Sequence, residues 1–232
     1  MRAVVLAVAG VAILAASTAS SAGTTEQVQR CAKWTVSARM GGQAQCLREQ
    51  QGCKPIRARQ YQRHGFDCQQ GTLRVRWAYL RQRPLVSRRL SAGATCPLTT
   101  ETRQVDSYVG LGRGPAFPLG SHALVTVELP PRAEYGPEWG AVKRVWLVDA
   151  RYPGRILVRG AQLDGDNEVR FVDGRPGFTP QKRLNPVREF QLEGGGGAPS
   201  LTRLRAPGCY AYQVDGRTFS YLVVFEARLE AG

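Results

Sequence analysis

Apolar residues recur at every second position along much of this chain, which is the period of a half-buried strand. Ala32–Arg39 (AKWTVSAR) alternates in this way, and Met40-Gly41-Gly42 then marks a turn. Over residues 72–80 (TLRVRWAYL) the alternation puts Leu73, Val75, Trp77 and Tyr79 on one face. Arg74 and Arg76 fall on the other, as in a strand with an arginine edge. Residues 96–232 carry short apolar runs at His122–Leu129, Arg144–Asp149, Arg155–Gly160, Glu168–Val172, Val187–Leu192, Leu201–Arg205, Cys209–Val214 and Arg217–Ala227. Gly- and Pro-rich breaks separate them, and none sustains a 3.6-residue period. Many short strands so spaced predict an antiparallel sandwich or barrel. Val214 and Arg217 flank Asp215-Gly216, a two-residue loop suited to a type I′ hairpin. Phe219, Tyr221, Val223 and Phe225 would then face the core. Gly194–Gly197 reads as a flexible loop.

Residues 1–22 break this pattern. Arg2 is followed by an apolar stretch from Ala3 to Ala16 and then by small residues, with Ser20 and Ala22 at the −3 and −1 positions of a cleavage site. That is the layout of a secretory signal peptide, and the stretch is short for a spanning helix, which needs about 20 apolar residues. The expected product is secreted, to the periplasm or the extracellular space, with no membrane span after cleavage.

Export decides how the six cysteines are read. Cys31, Cys46, Cys53, Cys68, Cys96 and Cys209 form an even set in an oxidising compartment. Four lie close together, which favours two bridges within Cys31–Cys68 and a third from Cys96 to Cys209. Neither C-x-x-C nor H-x3–5-H spacing occurs, so zinc is not indicated. The expected organisation is a basic cysteine-rich module at 27–80, a linker at 81–95 and a β-sandwich domain at 96–229. So small a module would rely on its bridges for stability.

Charge separates the two parts. Residues 27–95 contain fourteen basic and two acidic residues, and residues 96–232 contain seventeen basic and fifteen acidic. The first part is therefore strongly cationic, a distribution that attracts polyanions. Arg57, Arg59, Arg63, Arg74 and Arg76, interleaved with Tyr61, Phe66, Trp77 and Tyr79, are the candidate contacts. For an exported chain, an anionic cell-wall polymer is a better match than nucleic acid. The 28 Arg against 4 Lys also fit the codon bias of a high-GC genome.

Catalytic equipment is sparse. His64 and His122 are the two histidines, and no nucleophile elbow, H-E-x-x-H, P-loop or dinucleotide fingerprint is present. Glu134 with Glu138, or Asp164, Asp166 and Glu168, could supply paired carboxylates. The run Asp164-Gly165-Asp166-Asn167-Glu168 is rich in oxygen ligands but lacks EF-hand spacing, and reads as a tight turn. No catalytic residue, metal or cofactor is assigned.

CLREQQGC followed by YQRHGFDC (Cys46–Cys68) resembles a short cysteine module, CL-R-x-Q-x-C…Y-x-R-x-G-F-x-C, of secreted proteins from high-GC, actinobacterial-type bacteria. RAPGCYAYQVDGRTFSYLVVFEA (Arg205–Ala227) is similar to the C-terminal strands of secreted or lipid-anchored bacterial proteins. Cys96-Pro97, the loop residues Gly112, Gly114, Pro115 and Pro118, and Arg159-Gly160 with Leu163-Asp164-Gly165 also fit that pattern. The resemblance implies an immunoglobulin-like sandwich and carries no activity with it. No Trp follows Cys96 at short spacing, and Pro207 stands where an antibody-type domain has a Tyr before its second cysteine. The expectation is thus a mainly β, exported, non-catalytic binding or accessory protein. Its partner would be an anionic envelope polymer or another exported protein. The alternatives are a secreted hydrolase using dispersed carboxylates or His122, and a structural domain that packs on a partner.

Overall fold

The computed structural model describes residues 31–85, 89–91, 93–105, 107–120, 123–127 and 140–229. The signal segment, His122, Glu134 and Glu138 lie outside the described residues.

The cysteine-rich module is built from two hairpins and two short helices. Strands β1 (Val36–Met40) and β2 (Gln43–Leu47) pair antiparallel through Gly41-Gly42. Both glycines take positive φ, +60° and +86°, as the tight turn requires. A 3₁₀ turn at Pro55–Arg57 leads into α1 (Ala58–Arg63). Strands β3 (Phe66–Gln69) and β4 (Thr72–Val75) form the second hairpin, followed by α2 (Trp77–Arg81). The alternation at 72–80 therefore holds as strand only to Val75. Beyond it Trp77 and Leu80 stand three apart on a helix, a spacing that so short an apolar run does not distinguish from alternation. Met40, Leu47, Phe66, Leu73, Val75 and Leu80 make the module's core. Cys31–Cys46 and Cys53–Cys68 close it.

The larger part is a two-sheet immunoglobulin-like sandwich. A hairpin of β5 (Thr102–Val105) and β6 (Tyr108–Leu111), unanticipated in the sequence pattern, precedes β7 (Ala116–Pro118) and β8 (Leu124–Val127). Then come β9 (Gly140–Val148), β10 (Ile156–Gln162), β11 (Arg170–Asp173), α3 (Pro180–Leu184) and β12 (Phe190–Leu192). The chain ends with β13 (Gly196–Leu204), β14 (Gly208–Gly216) and β15 (Phe219–Leu229). One sheet runs β12-β10-β14-β15-β8 and the other β11-β13-β9-β7. Among the described residues, pairing is antiparallel except between β15 and β8, which run parallel. The chain thus passes its first strands to both sheets, one of them beside the last strand.

Two local expectations are corrected. Gly196 and Gly197 are not a loop: they pair with Val148 and Leu147, so the strand begins within the glycine run. The last hairpin turns at Arg217-Thr218, not Asp215-Gly216, because Asp215 pairs with Ser220 and Gly216 with Phe219. The ion-pair network around Asp215, described below, holds that residue within the strand.

Between the sheets lie Trp146, Phe171, Phe190, Tyr210, Tyr212 and Phe225, all fully buried. The Trp146 ring meets Tyr212 edge-on at 5.2 Å, and Tyr212 stacks on Phe225 at 4.4 Å. The Tyr212 hydroxyl is paired with Thr202 Oγ1 at 2.8 Å. Tyr210, rather than a residue before Cys209, performs the corner contact of such sandwiches, donating to the Ala206 carbonyl at 2.8 Å. Cys96–Cys209 ties the domain entrance to β14.

Module and sandwich share a core. On β10, Ile156 and Val158 face inward, while Leu157 points out and is fully buried against the module's apolar cluster. Arg155 and Arg159 flank it on the same outer face. Arg155 donates to the Val75 carbonyl at 3.1 Å and stacks over Trp77 at 5.1 Å. Arg217 donates to the His64 carbonyl at 2.6 Å and lies over Tyr79 at 4.4 Å. The described residues of the segment read as a linker form a strap on this face. Gln213 donates to the Pro84 carbonyl at 3.1 Å, and the Leu90 N–H donates to the Leu163 carbonyl at 2.7 Å.

Candidate functional site

The five arginines singled out from charge do not share one environment. Arg59 and Arg63 stand four apart on α1, so they share one face of that helix, and both are exposed. Arg57, half-buried, precedes the helix and reaches over the Gly41 turn. Arg74 lies on β4, opposite Asp67 in register. Arg76 is drawn into an ion pair with Asp67 at 3.5 Å. Among the described residues, Arg57, Arg59 and Arg63 have no carboxylate partner, and Arg74 forms no ion pair within 4 Å. Exposed Lys54, which the charge count had not singled out, adjoins them.

The module's two carboxylates explain why this face stays cationic. Asp67 is held by Arg76 and by Gln62, whose amide donates at 3.1 Å. Glu49 is 4% exposed and turned toward the sandwich, where its Oε2 accepts the Arg155 backbone N–H at 2.8 Å. Burial pushes the Glu49 carboxyl above the usual glutamate range. Hydrogen bonds from the Arg155 and Val75 backbones, and the charges of Arg155 and Arg74, act against that rise. A raised folded-state pKa means that the group's stabilising contribution is present below the unfolded value and is lost as pH rises through the folded one. Glu49→Gln is therefore expected to gain stability relative to wild type on going from pH 4 to pH 7. Urea titrations at the two pH values test this, and an unchanged difference between the proteins rejects it.

The aromatic residues of the module do not line the basic face. Tyr61 and Phe66 are buried in its core, and Trp77 and Tyr79 lie beneath Arg155 and Arg217 of the sandwich. The cationic face thus offers charge without stacking surfaces. His64 caps α1, and burial together with nearby Arg217 and Arg63 holds its imidazole below the ordinary histidine range.

A second polar feature was not visible in the sequence. A cleft of about 150 Å³ lies between the module and the sandwich, lined in part by Lys33, Trp34, Arg103, Arg113 and Asp149. Charge of both signs is already engaged here: Arg113 pairs with Glu101 at 3.1 Å, and Asp149 is held at low pKa by the Arg151 side chain at 2.8 Å.

The candidate carboxylates of a hydrolase are engaged where they are described. Asp164 accepts the Cys209 N–H at 2.9 Å, Asp166 pairs with Arg89 at 2.7 Å, and Glu168 pairs with Arg170 and with Arg188. Asp164 and Glu226 border one cleft of about 300 Å³ beside Cys96–Cys209, with Glu226 already accepting two hydrogen bonds from Arg228. The Asp164–Glu168 run forms no shared ligand cluster, and among the described residues no group of three or more potential metal ligands converges.

No family model matches the chain, and no curated protein matches it. Among solved structures, the X-ray crystal structure of a "Putative Lipoprotein" from Bacillus anthracis aligns with 64% of this chain and 99% of that one. The identity is 11% and the TM-score 0.39, too distant a likeness to inform the site. No helix among the described residues is long and apolar enough to cross a membrane.

Proposed function

We propose that this is an exported, non-catalytic binding protein that attaches to an anionic polymer of the cell envelope through the outer face of its cysteine-rich module. The observation that supports this reading is the disposal of the module's acids. Glu49 is turned inward and Asp67 is neutralised, while Lys54, Arg59 and Arg63 stand exposed without carboxylate partners among the described residues. Such a face interacts with polyanions by displacing their counterions, so attachment weakens steeply with salt. The sandwich braces the module, and its loops are the candidates for a second contact. Three disulfides suit an oxidising compartment outside the cytoplasm.

Residues 23–232 are expected to sediment with isolated bacterial envelopes at low ionic strength, to be released by high salt, and to be displaced by dextran sulfate. Sedimentation that ignores salt and dextran sulfate, or no sedimentation at all, overturns the proposal.

A further inference from the structure

The cationic face carries an apolar point that charge attraction alone does not use. Ile56 is 93% exposed, whereas the next most exposed large hydrophobic side chain among the described residues, Leu184, is at 55%. It sits in the 3₁₀ turn Pro55–Arg57, next to exposed Pro55. Lys54, Arg57 and Arg59 flank this Pro-Ile apex within the same short segment, and no acid lies between Lys54 and Arg63.

The apex is also held in shape. The Cys53–Cys68 bridge anchors the residue before Lys54. The Lys54 backbone N–H approaches the Tyr61 hydroxyl at 3.4 Å, and the Arg57 N–H donates to the Lys54 carbonyl at 2.9 Å. A side chain presented from a bridged turn loses little conformational freedom when it is buried by a partner. Its full exposure is therefore a standing cost that a matching apolar phase would remove.

We infer that the Pro55-Ile56 apex, flanked along the chain by Lys54, Arg57, Arg59 and Arg63, docks on an anionic lipid surface. The cations would engage phosphate headgroups while Ile56 enters the headgroup–acyl boundary. This is the pairing of apolar burial with cationic charge that defines interfacial membrane contact. A scattered surface hydrophobe needs no explanation in general. Here near-complete exposure, a braced turn and a run of one-signed charge coincide in one short segment. The inference rests on the proposed attachment through the basic face and adds an anionic lipid surface to the polymer that the face meets.

The test uses residues 23–232, with vesicles of phosphatidylcholine alone or mixed with phosphatidylglycerol, and a dextran sulfate column as a charge-only reference. Wild type is expected to sediment with the mixed vesicles and not with the neutral ones. Ile56→Ser should weaken vesicle binding about tenfold, as expected for losing part of a buried aliphatic side chain, with unchanged retention on dextran sulfate. Ile56→Leu should restore the vesicle affinity. Equal vesicle binding by wild type and Ile56→Ser overturns the inference. So does wild-type protein that is held by dextran sulfate but ignores the mixed vesicles, a result that leaves the polymer reading standing. Failure on both supports removes both. Envelope binding that disappears when envelope proteins are digested, with no vesicle binding, assigns the apex to a protein partner and also overturns the lipid assignment.

Discussion

Asp215→Ala is expected to destabilise the protein by roughly 3–5 kcal/mol, the cost of breaking a buried ion pair by removing one partner. Asp215 lies on β14 with no solvent exposure. Its Oδ2 accepts from Arg159 at 2.7 Å, and Arg83 approaches its Oδ1 at 3.6 Å. Gln213 donates to both oxygens, at 3.0 and 3.2 Å, and Ser220 donates at 2.7 Å. One carboxylate thus receives two guanidinium groups, an amide and a hydroxyl. Without it, two cations remain close together at a covered site. Both keep backbone partners, since Arg159 also donates to the Arg83 carbonyl and Arg83 to the carbonyls of Arg217 and Phe219. Those remaining contacts place the loss toward the lower end of the range.

The same substitution has a local signature. Arg83 and Pro84 belong to the strap between module and sandwich, so loss of Asp215 should loosen that strap before the sandwich melts. Trypsin is expected to cut residues 81–91 faster in the variant than in wild type under native conditions. Asp215→Asn should also destabilise, because its amide nitrogen meets donors where a carboxylate oxygen accepted them. An unfolding midpoint and a cleavage rate equal to wild type would show that this network contributes nothing.

That strap marks the limit of what the sequence discloses. Gln213 and Asp215 alternate with Tyr212 and Val214, which is how a solvent-facing edge reads, yet both polar residues are covered. The alternation identifies a strand's inner face and is silent on what lies over the outer one. A hint was present in Ile156-Leu157-Val158, a continuous apolar run of the kind that belongs to strands buried on both faces. The cysteine spacing was more informative. Four close cysteines and two distant ones led to the observed grouping, because chain proximity limits which bridges close within a small module. The short helices α1, α2 and α3 were missed since none is long enough to show a period. At the proposed site, charge counting singled out Arg59 and Arg63. It could not separate them from Arg76, whose neutralising partner Asp67 becomes its neighbour only when β3 and β4 pair. Nor could it show Ile56 as exposed, for an aliphatic residue next to a disulfide reads as core.

The triple variant Lys54→Glu, Arg59→Glu, Arg63→Glu is expected to lose envelope and dextran sulfate binding by at least about 100-fold at low salt. Each basic residue near an anionic surface contributes on the order of 1 kcal/mol, and tenfold corresponds to about 1.4 kcal/mol. Removing three such contacts accounts for that much, and the three introduced carboxylates add repulsion. Charge reversal is the appropriate change because these side chains are exposed and lack carboxylate partners among the described residues. Folding stability should then remain within about 0.5 kcal/mol of wild type. The slope of log affinity against log salt should fall by roughly two to three, one counterion-release contribution per lost contact. Arg76→Gln supplies the contrast, since its charge is already opposed by Asp67. It should bind within about twofold of wild type, for a contact screened by its own ion pair adds little. If the triple variant binds as wild type does, attachment does not run through this face. If Arg76→Gln is as defective as the triple variant, the cation that matters lies nearer the β3–β4 hairpin than α1, and the assignment of Arg59 and Arg63 fails.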